Sequence, residues 1–255
     1  MRRVCLIGKN SFLYNAFNFV EKHNTFSHKQ INKINFDKYD KLVLLSFPRK
    51  YFLKKEKKFL FEKKLFKKFK NKEIHYISTS KLYPMKIKCS EKIKDINLNM
   101  PYVYNKFMIE NILKKYTRKF YIYRISNAFL KNKYAKRTFF DILVNNWNKN
   151  KTINFDINFK SQKDFISINT LKMIFKKMLK IEKNFGVYNL GAEKGINIQK
   201  VIKLFINNNA FEEANLLIEG SKISSQTLDI TKLTTLLKLK KKDIIKETLK
   251  EMKKK

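Results

Sequence analysis

Glycine and proline are scarce in this chain, with five glycines and three prolines in 255 residues. So few chain breakers leave no Gly- or Pro-rich stretch to act as a flexible linker, and no internal repeat is visible. Cysteine occurs only twice, as Cys5 and Cys89. Two isolated cysteines make neither a disulfide framework nor a metal-ligand pattern. The three histidines, His23, His28 and His75, also lack metal-ligand spacing, so no metal is expected. Long apolar runs are missing too. No stretch of about 18 apolar residues could form a transmembrane helix. The opening "MRRVCLIGKN" has too short an apolar run for a signal peptide. Few cysteines and no export signal point to a reducing cytoplasm.

Acidic residues number 21 against 58 basic ones, a formal net charge of +37. Such a balance raises the question of a nucleic-acid partner. Arginine, however, is the scarce cation: six of the 58 basic residues are arginine and 52 are lysine. Lys, Asn, Ile and Phe, all abundant here, have A/T-rich codons, whereas Gly, Pro, Ala and Arg have G/C-rich ones. Compositional drift of this kind decorates a whole surface without any partner. A selected nucleic-acid surface would draw more on the bidentate guanidinium. No specific nucleic-acid partner is therefore expected.

Short apolar runs alternate with amphipathic ones. "RVCLI", 3–7, reads as a buried strand ending at Gly8, and "SFLYNAFNFVEK", 11–22, as a helix. "KLVLLSF", 41–47, is a second buried strand. Residues 54–70 form a strongly basic amphipathic pattern marked by Phe59, Phe61, Leu65 and Phe69. It could lie on a membrane surface, but the strand "IHYIS" that follows favours a crossover helix. A helix is read over 102–116, a strand over 119–126, a last strand over 186–191 and a helix over 197–206. The lysine-rich tail after about residue 247 reads as frayed. Alternating strands and helices argue for a doubly wound parallel sheet.

Tyr102 and Lys106 are four apart on a predicted helix and share a face. Alone the pattern says little. In so lysine-rich a chain roughly two such pairs arise by chance, and Tyr51 with Lys55 is the other. Order separates them. The hydroxyl-rich "STSKLYP" (78–84) comes first, then "PYVYNK" (101–106) on a helix that continues to Glu110. "RISN" (Arg124 to Asn127), "KDFISIN" (Lys163 to Asn169), "GVYNLG" (186–191) and "DITKLTTLL" from Asp229 follow. In these motifs and this order the chain resembles the extended short-chain dehydrogenase/reductase family, in its nucleotide-sugar epimerase/dehydratase branch. The resemblance covers most of the chain.

It implies an α/β fold, a Rossmann-type doubly wound parallel sheet with a small C-terminal substrate-binding lobe. The NAD(P)-binding core would span residues 1–127, completed by about 160–191, and the lobe with the C-terminal helices residues 128–255. The implied cofactor is NAD or NADP and the implied substrate a nucleotide sugar. A homodimer through the helix carrying Tyr-x-x-x-Lys is compatible with it. Tyr102 would be the catalytic acid/base, Lys106 its partner and a ligand of the nicotinamide ribose, and Thr79 the hydroxyl that orients the reacting sugar oxygen. Ser80 and Asn127 would contact substrate. Gly8, Ser11, Phe12, Leu13, Ser46 and Lys106 would hold the cofactor. A tyrosine needs its pKa lowered by roughly 3 units to act as a base near pH 7, which a nearby lysine and a cationic nicotinamide ring could supply.

The chain departs from the family pattern in three places. Gly-x-x-Gly-x-x-Gly becomes "GKNSFLY", with Ser11 and Tyr14 in place of the second and third glycines. A tyrosine there is expected to push the helix away from strand or cofactor. Between residues 23 and 40 a strand–helix unit is missing, with the acidic residue that would hold the adenine ribose. Asp37 and Asp40 read as turn residues, and His28 and Lys29 would tolerate a 2′-phosphate, so NAD against NADP stays open. Ser80 and Lys81 stand where dehydratases carry Asp-Glu, which disfavours a 4,6-dehydratase. The expectation is an epimerase or keto-sugar reductase of surface-polysaccharide synthesis; the alternative is a catalytically degenerate member serving as a binding or structural subunit. If the charge is drift, binding to duplex or single-stranded nucleic acid will be weak, sequence-independent and abolished by salt in a filter or anisotropy assay. Tight binding with a shallow salt slope would refute that.

Overall fold

The computed structural model describes residues 3–130, 139–205 and 214–253. It divides into two compact units. The first comprises residues through Pro84, Glu91–Ile125 and Ile174–Asn189; the second comprises Met85–Ser90, Ser126–Met173 and Leu190 onward.

The first unit is built on β1 (Val4–Ile7), β2 (Thr25–Phe26), β3 (Lys41–Leu44), β4 (Glu73–Thr79) and β5 (Phe120–Ile125), whose successive neighbours pair in parallel. The sheet order β2-β1-β3-β4-β5 continues to a strand at Gly186–Leu190. β1 and β3 are buried along their whole length, as parallel strands covered on both faces require. The chain leaves β1 toward β2 and returns on the other side to β3. This reversal makes a topological switch point, the place where open α/β sheets bind ligands beyond the carboxyl ends of their strands. Helix α1 (Leu60–Lys68) links β3 to β4, and α2 (Pro101–Tyr116) links β4 to β5.

Four expectations need correction here. The helix expected at 11–22 is a 3₁₀ helix over Phe12–Phe17. Asn and aromatic residues are poor helix formers, and the Asn15 amide donates back to the Phe12 carbonyl at 2.6 Å, a local bond that competes with an α-helix. The basic helix begins only at Leu60, because Phe59 is left-handed (φ 46°) and Asn105 holds the preceding loop. The Asn105 side chain accepts from the Glu56 N–H (2.7 Å) and donates to the Tyr51 and Lys54 carbonyls (2.9 and 2.8 Å). Phe59, Leu65, Phe66 and Phe69 are buried in the unit's core, so α1 is a crossover helix and not a membrane-surface one. Between 23 and 40 a second strand does exist, the two-residue β2, followed by short 3₁₀ turns instead of a helix. The tail does not fray at 247. The final helix runs Lys241–Lys253, with Met252 buried in the second core.

The second unit holds β6 (Asn127–Phe129), β7 (Thr152–Phe155), β8 (Gln162–Ser167), β9 (Gly186–Leu190, whose last residue alone belongs here), β10 (Gly195–Asn197) and β11 (Leu216–Glu219). β8 lies between β6, parallel to it, and β10, antiparallel to it; β7 and β11 form a separate parallel pair. Its helices are α3 (Phe139–Asn150), most of α4 (Ile168–Met178), α5 (Ile198–Phe205), α6 (Thr231–Leu237) and α7 (Lys241–Lys253). Trp147 is packed in this core with Phe140, Phe165 and Ile202. Parts of the lobe expected over 128–255, including the last residue of the helix expected at 197–206, lie outside the described residues.

A buried polar chain ties α2 to the sheet. Arg124 donates to both Glu110 oxygens, Nε to Oε1 at 3.1 Å and Nη2 to Oε2 at 2.7 Å. Ser78 donates to the same carboxylate at 2.5 Å. Arg124 Nη1 donates to the Tyr83 hydroxyl (3.1 Å), which donates to Asn189 Oδ1 (2.7 Å). Burial alone would lower the Arg124 pKa, but the Glu110 bonds and charge outweigh it and raise it. Removing one partner strands the other charge in the core. Glu110→Gln or Arg124→Met is expected to cost about 3–5 kcal/mol, read from urea midpoints. The double variant should cost clearly less than the two singles added; strict additivity would show that the pair is not coupled.

Candidate active site

Gly8 ends β1 at φ +119°, a conformation side chains rarely adopt. A Cβ there would stand 2.7 Å from the Ser46 nitrogen, so the turns after β1 and β3 approach as closely as backbones can. Ser46 is buried at the end of β3, its N–H bonded to the Ile7 carbonyl (3.1 Å). The Gly8 and Lys9 N–H groups both donate to the Phe26 carbonyl (2.7 and 3.2 Å), fastening the loop to the end of β2. Ser11 caps the 3₁₀ helix, its hydroxyl accepting from the Leu13 N–H at 3.3 Å. Phe12, Leu13 and Tyr14 are half-buried on that helix. Gly8, Ser11, Phe12, Leu13 and Ser46 thus gather at the switch point.

Thr79 ends β4, with its hydroxyl accepting from the Lys81 N–H (3.2 Å). Tyr102 opens α2, where Pro101 occupies the first turn, the one place a helix loses nothing to proline. Burial raises the Tyr102 pKa, and the neighbouring Thr79 hydroxyl opposes the shift. One turn on, Lys106 is buried and donates to the Ile77 carbonyl at 2.6 Å. Its ammonium lies 4.4 Å from the Phe47 ring centre and 5.0 Å from that of Tyr76. Burial lowers its pKa to about 7, against the pull of Glu110 and Glu62. Ser80 is buried just beyond Thr79. Asn127 belongs to the second unit, where its amide donates to the Asp164 carbonyl (2.9 Å). The chance pair behaves differently: Tyr51 donates to buried Glu62 (3.0 Å), while Lys55 stands over Tyr104.

Sequence reasoning missed the aromatic wall. Phe47 meets the Tyr102 ring edge-on, centres 5.3 Å apart, and Phe52 stacks on it at 4.9 Å. Phe47 could have been noticed as the residue after the strand-end Ser46. Phe52 could not, since only the Asn105-held loop brings it there.

A parallel sheet with a glycine turn at its switch point, beside a threonine, a tyrosine and a buried lysine, defines a dinucleotide-binding α/β protein. The sequence model of the NAD dependent epimerase/dehydratase family matches residues 63–191. The chain belongs to that family. A search of curated proteins returned no match. Among solved structures it is similar to UDP-N-acetylglucosamine 4-epimerase from Bacillus cereus, at 18% identity and TM-score 0.71, covering 100% of both chains. It is also similar to UDP-glucuronic acid 4-epimerase from Bacillus cereus in complex with UDP-glucuronic acid and NAD (16%, TM-score 0.73, 98% of both chains). A third is UDP-N-acetylglucosamine 4-epimerase from Methanobrevibacter ruminantium M1, in complex with UDP-N-acetylmuramic acid (14%, TM-score 0.72, 98% of this chain and 97% of that one). These likenesses show the shared fold. The Gly8 turn has no room for a Cβ because the backbone at the end of β3 occupies that space.

A lysine lowered from its ordinary value favours folding only when neutral. Its contribution is fully present above the unfolded pKa, about 10.4, and is lost as pH falls toward about 7. Stability should therefore rise between pH 7 and 10, by a few kcal/mol at most. Lys106→Met should flatten that rise in urea titrations. A ¹⁵Nζ signal titrating near 10 would refute the assignment.

Proposed function

We propose that this chain is an NAD(P)-dependent nucleotide-sugar epimerase or keto-sugar reductase, acting in the assembly of surface polysaccharide. The observation that carries the reading is the meeting of Thr79, Tyr102 and Lys106 at the end of β4 and the start of α2. NAD(P), when bound, accepts and returns a hydride. Gly8, Ser11, Phe12, Leu13 and Ser46 hold its phosphate side and Lys106 its nicotinamide side. Tyr102 takes the proton of the reacting sugar hydroxyl and gives one back. Thr79 orients that oxygen. Lys106 supplies the positive charge that makes the phenol a better acid, and Ser80 contacts the sugar nucleotide. Ser80 and Lys81 supply no carboxylate pair to expel a hydroxyl, which favours epimerisation or reduction over 4,6-dehydration. The dimer would form through α2, and residues 1–127, completed by about 160–191, would form the cofactor core. A second reading, a non-catalytic subunit, is favoured by Tyr14 and by the 3₁₀ helix that replaces the α-helix after the glycine turn.

With NAD or NADP and a panel of UDP-sugars, Tyr102→Phe should reduce turnover by about 10²- to 10⁴-fold. Lys106→Met should lower turnover and weaken cofactor binding. Combined losses should fall far short of the product of the singles. Tyr51→Phe is the control. It strands buried Glu62, so stability falls, but turnover per folded molecule should not. Equal turnover of Tyr102→Phe and Tyr51→Phe would refute the assignment. A folded chain that binds no dinucleotide would establish the second reading.

A further inference from the structure

The carboxyl ends of β1, β2 and β3 carry no available carboxylate. Residues 8–20, after β1, and 27–36, after β2, contain neither Asp nor Glu. After β3 the first acid is Glu56, which is committed to Lys50 (2.6 Å) and to the Lys57 and Lys58 N–H groups. The other nearby acids stand at the opposite edge. Glu21 precedes β2 and pairs with His23 and Asn24, Asp37 lies in the turn leading to β3, and Asp40 accepts from the Arg3 N–H beside the start of β1. The same lip does carry cations. Lys9 is exposed and is held beside the end of β2 by the bonds of Gly8 and Lys9 to the Phe26 carbonyl. Ser27, His28 and Lys29 follow β2 directly, the last two exposed.

A dinucleotide lacking a 2′-phosphate is recognised at this place by a carboxylate that accepts from its ribose hydroxyls; a 2′-phosphate repels a carboxylate and is matched by cations and hydroxyls. We propose that the lip formed by Lys9 and Ser27 to Lys29 selects a dinucleotide with a 2′-phosphate on its adenosine ribose, so that this chain prefers NADP to NAD. The proposal rests on the cofactor reading of the Gly8 loop and adds its specificity.

A chain of charge +37 attracts any polyanion, so the probes must carry equal charge. Calorimetry with 2′,5′-ADP and 3′,5′-ADP at matched ionic strength meets that need. The 2′ isomer should bind roughly tenfold or more tightly, as expected for charge-assisted bonds at one position, and NADP should exceed NAD in the same sense. Ser27→Asp keeps a good helix-capping residue; it should weaken 2′,5′-ADP about tenfold and narrow or reverse the preference for NADP. Lys29→Ala with Lys9→Ala should weaken 2′,5′-ADP and leave 3′,5′-ADP nearly unchanged. Equal binding of the two isomers, or NAD binding as tightly as NADP, overturns the proposal while leaving the cofactor site standing. No binding of either dinucleotide by folded protein overturns both.

Discussion

The arrangement of the candidate site depends on one buried ion pair, Glu110 with Arg124. An ion pair out of water is tolerated only when its remaining hydrogen-bonding positions are filled. Ser78 and Tyr83 fill them here, from the end of β4 and the turn beyond it. Ser78 is the residue before Thr79, so the bond that satisfies Glu110 also fixes the strand end that presents the Thr79 hydroxyl. Glu110 lies one turn from Lys106 and two from Tyr102 on α2. Seating the carboxylate on Arg124 therefore sets how far that helix stands from β4. The same charge acts on Lys106, opposing the burial that lowers its pKa.

The same bonds join the sequence motifs to one another. "STSKLYP" supplies Ser78 and Tyr83, the helix after "PYVYNK" supplies Glu110, "RISN" supplies Arg124 and "GVYNLG" supplies Asn189. A parallel hub exists in the second unit. Buried Asp164 of "KDFISIN" accepts from the Ala192, Glu193 and Leu228 N–H groups, and burial raises its pKa to about 7 against those bonds. Much of what reads as a family signature is thus scaffold, and only a few of its residues face chemistry.

What could not be read follows the same logic. β2 has two residues, below the length at which alternation is visible, and exists because β1 offers it a paired edge. The 3₁₀ helix after Gly8 and the loop before α1 are set by side-chain bonds of Asn15 and Asn105 to backbone, and Asn105 acts from about fifty residues away. Periodicity carries no trace of such bonds. The core strands and α2 were legible because burial on both faces and helical periodicity are local properties of the sequence, whereas the Tyr102–Lys106 pair stood out from Tyr51–Lys55 only through the order of the motifs around it.

A composition rich in lysine and poor in glycine meets a physical limit in the interior. Two lysines are buried in the first unit, and each is satisfied: Lys106 on a carbonyl between aromatic rings, and Lys41 on Glu73 and the Leu179 carbonyl, both at 2.8 Å. Phe59, Lys88, Lys151, Asn184, Glu193 and Lys238 adopt positive φ where glycine would be easier. Each such residue costs of order 1–2 kcal/mol, a strain that a well-packed core can absorb. Steric exclusion is another matter. At Gly8 the Ser46 backbone, and at Gly191 the Asp164 carboxylate (2.6 Å), occupy the space a Cβ would need. Neither neighbour can yield: one is the backbone of a central strand's end, the other the hub of the second unit. Glycine is thus dispensable where it spares only strain and required where two elements must touch, and the switch-point turn is of the second kind.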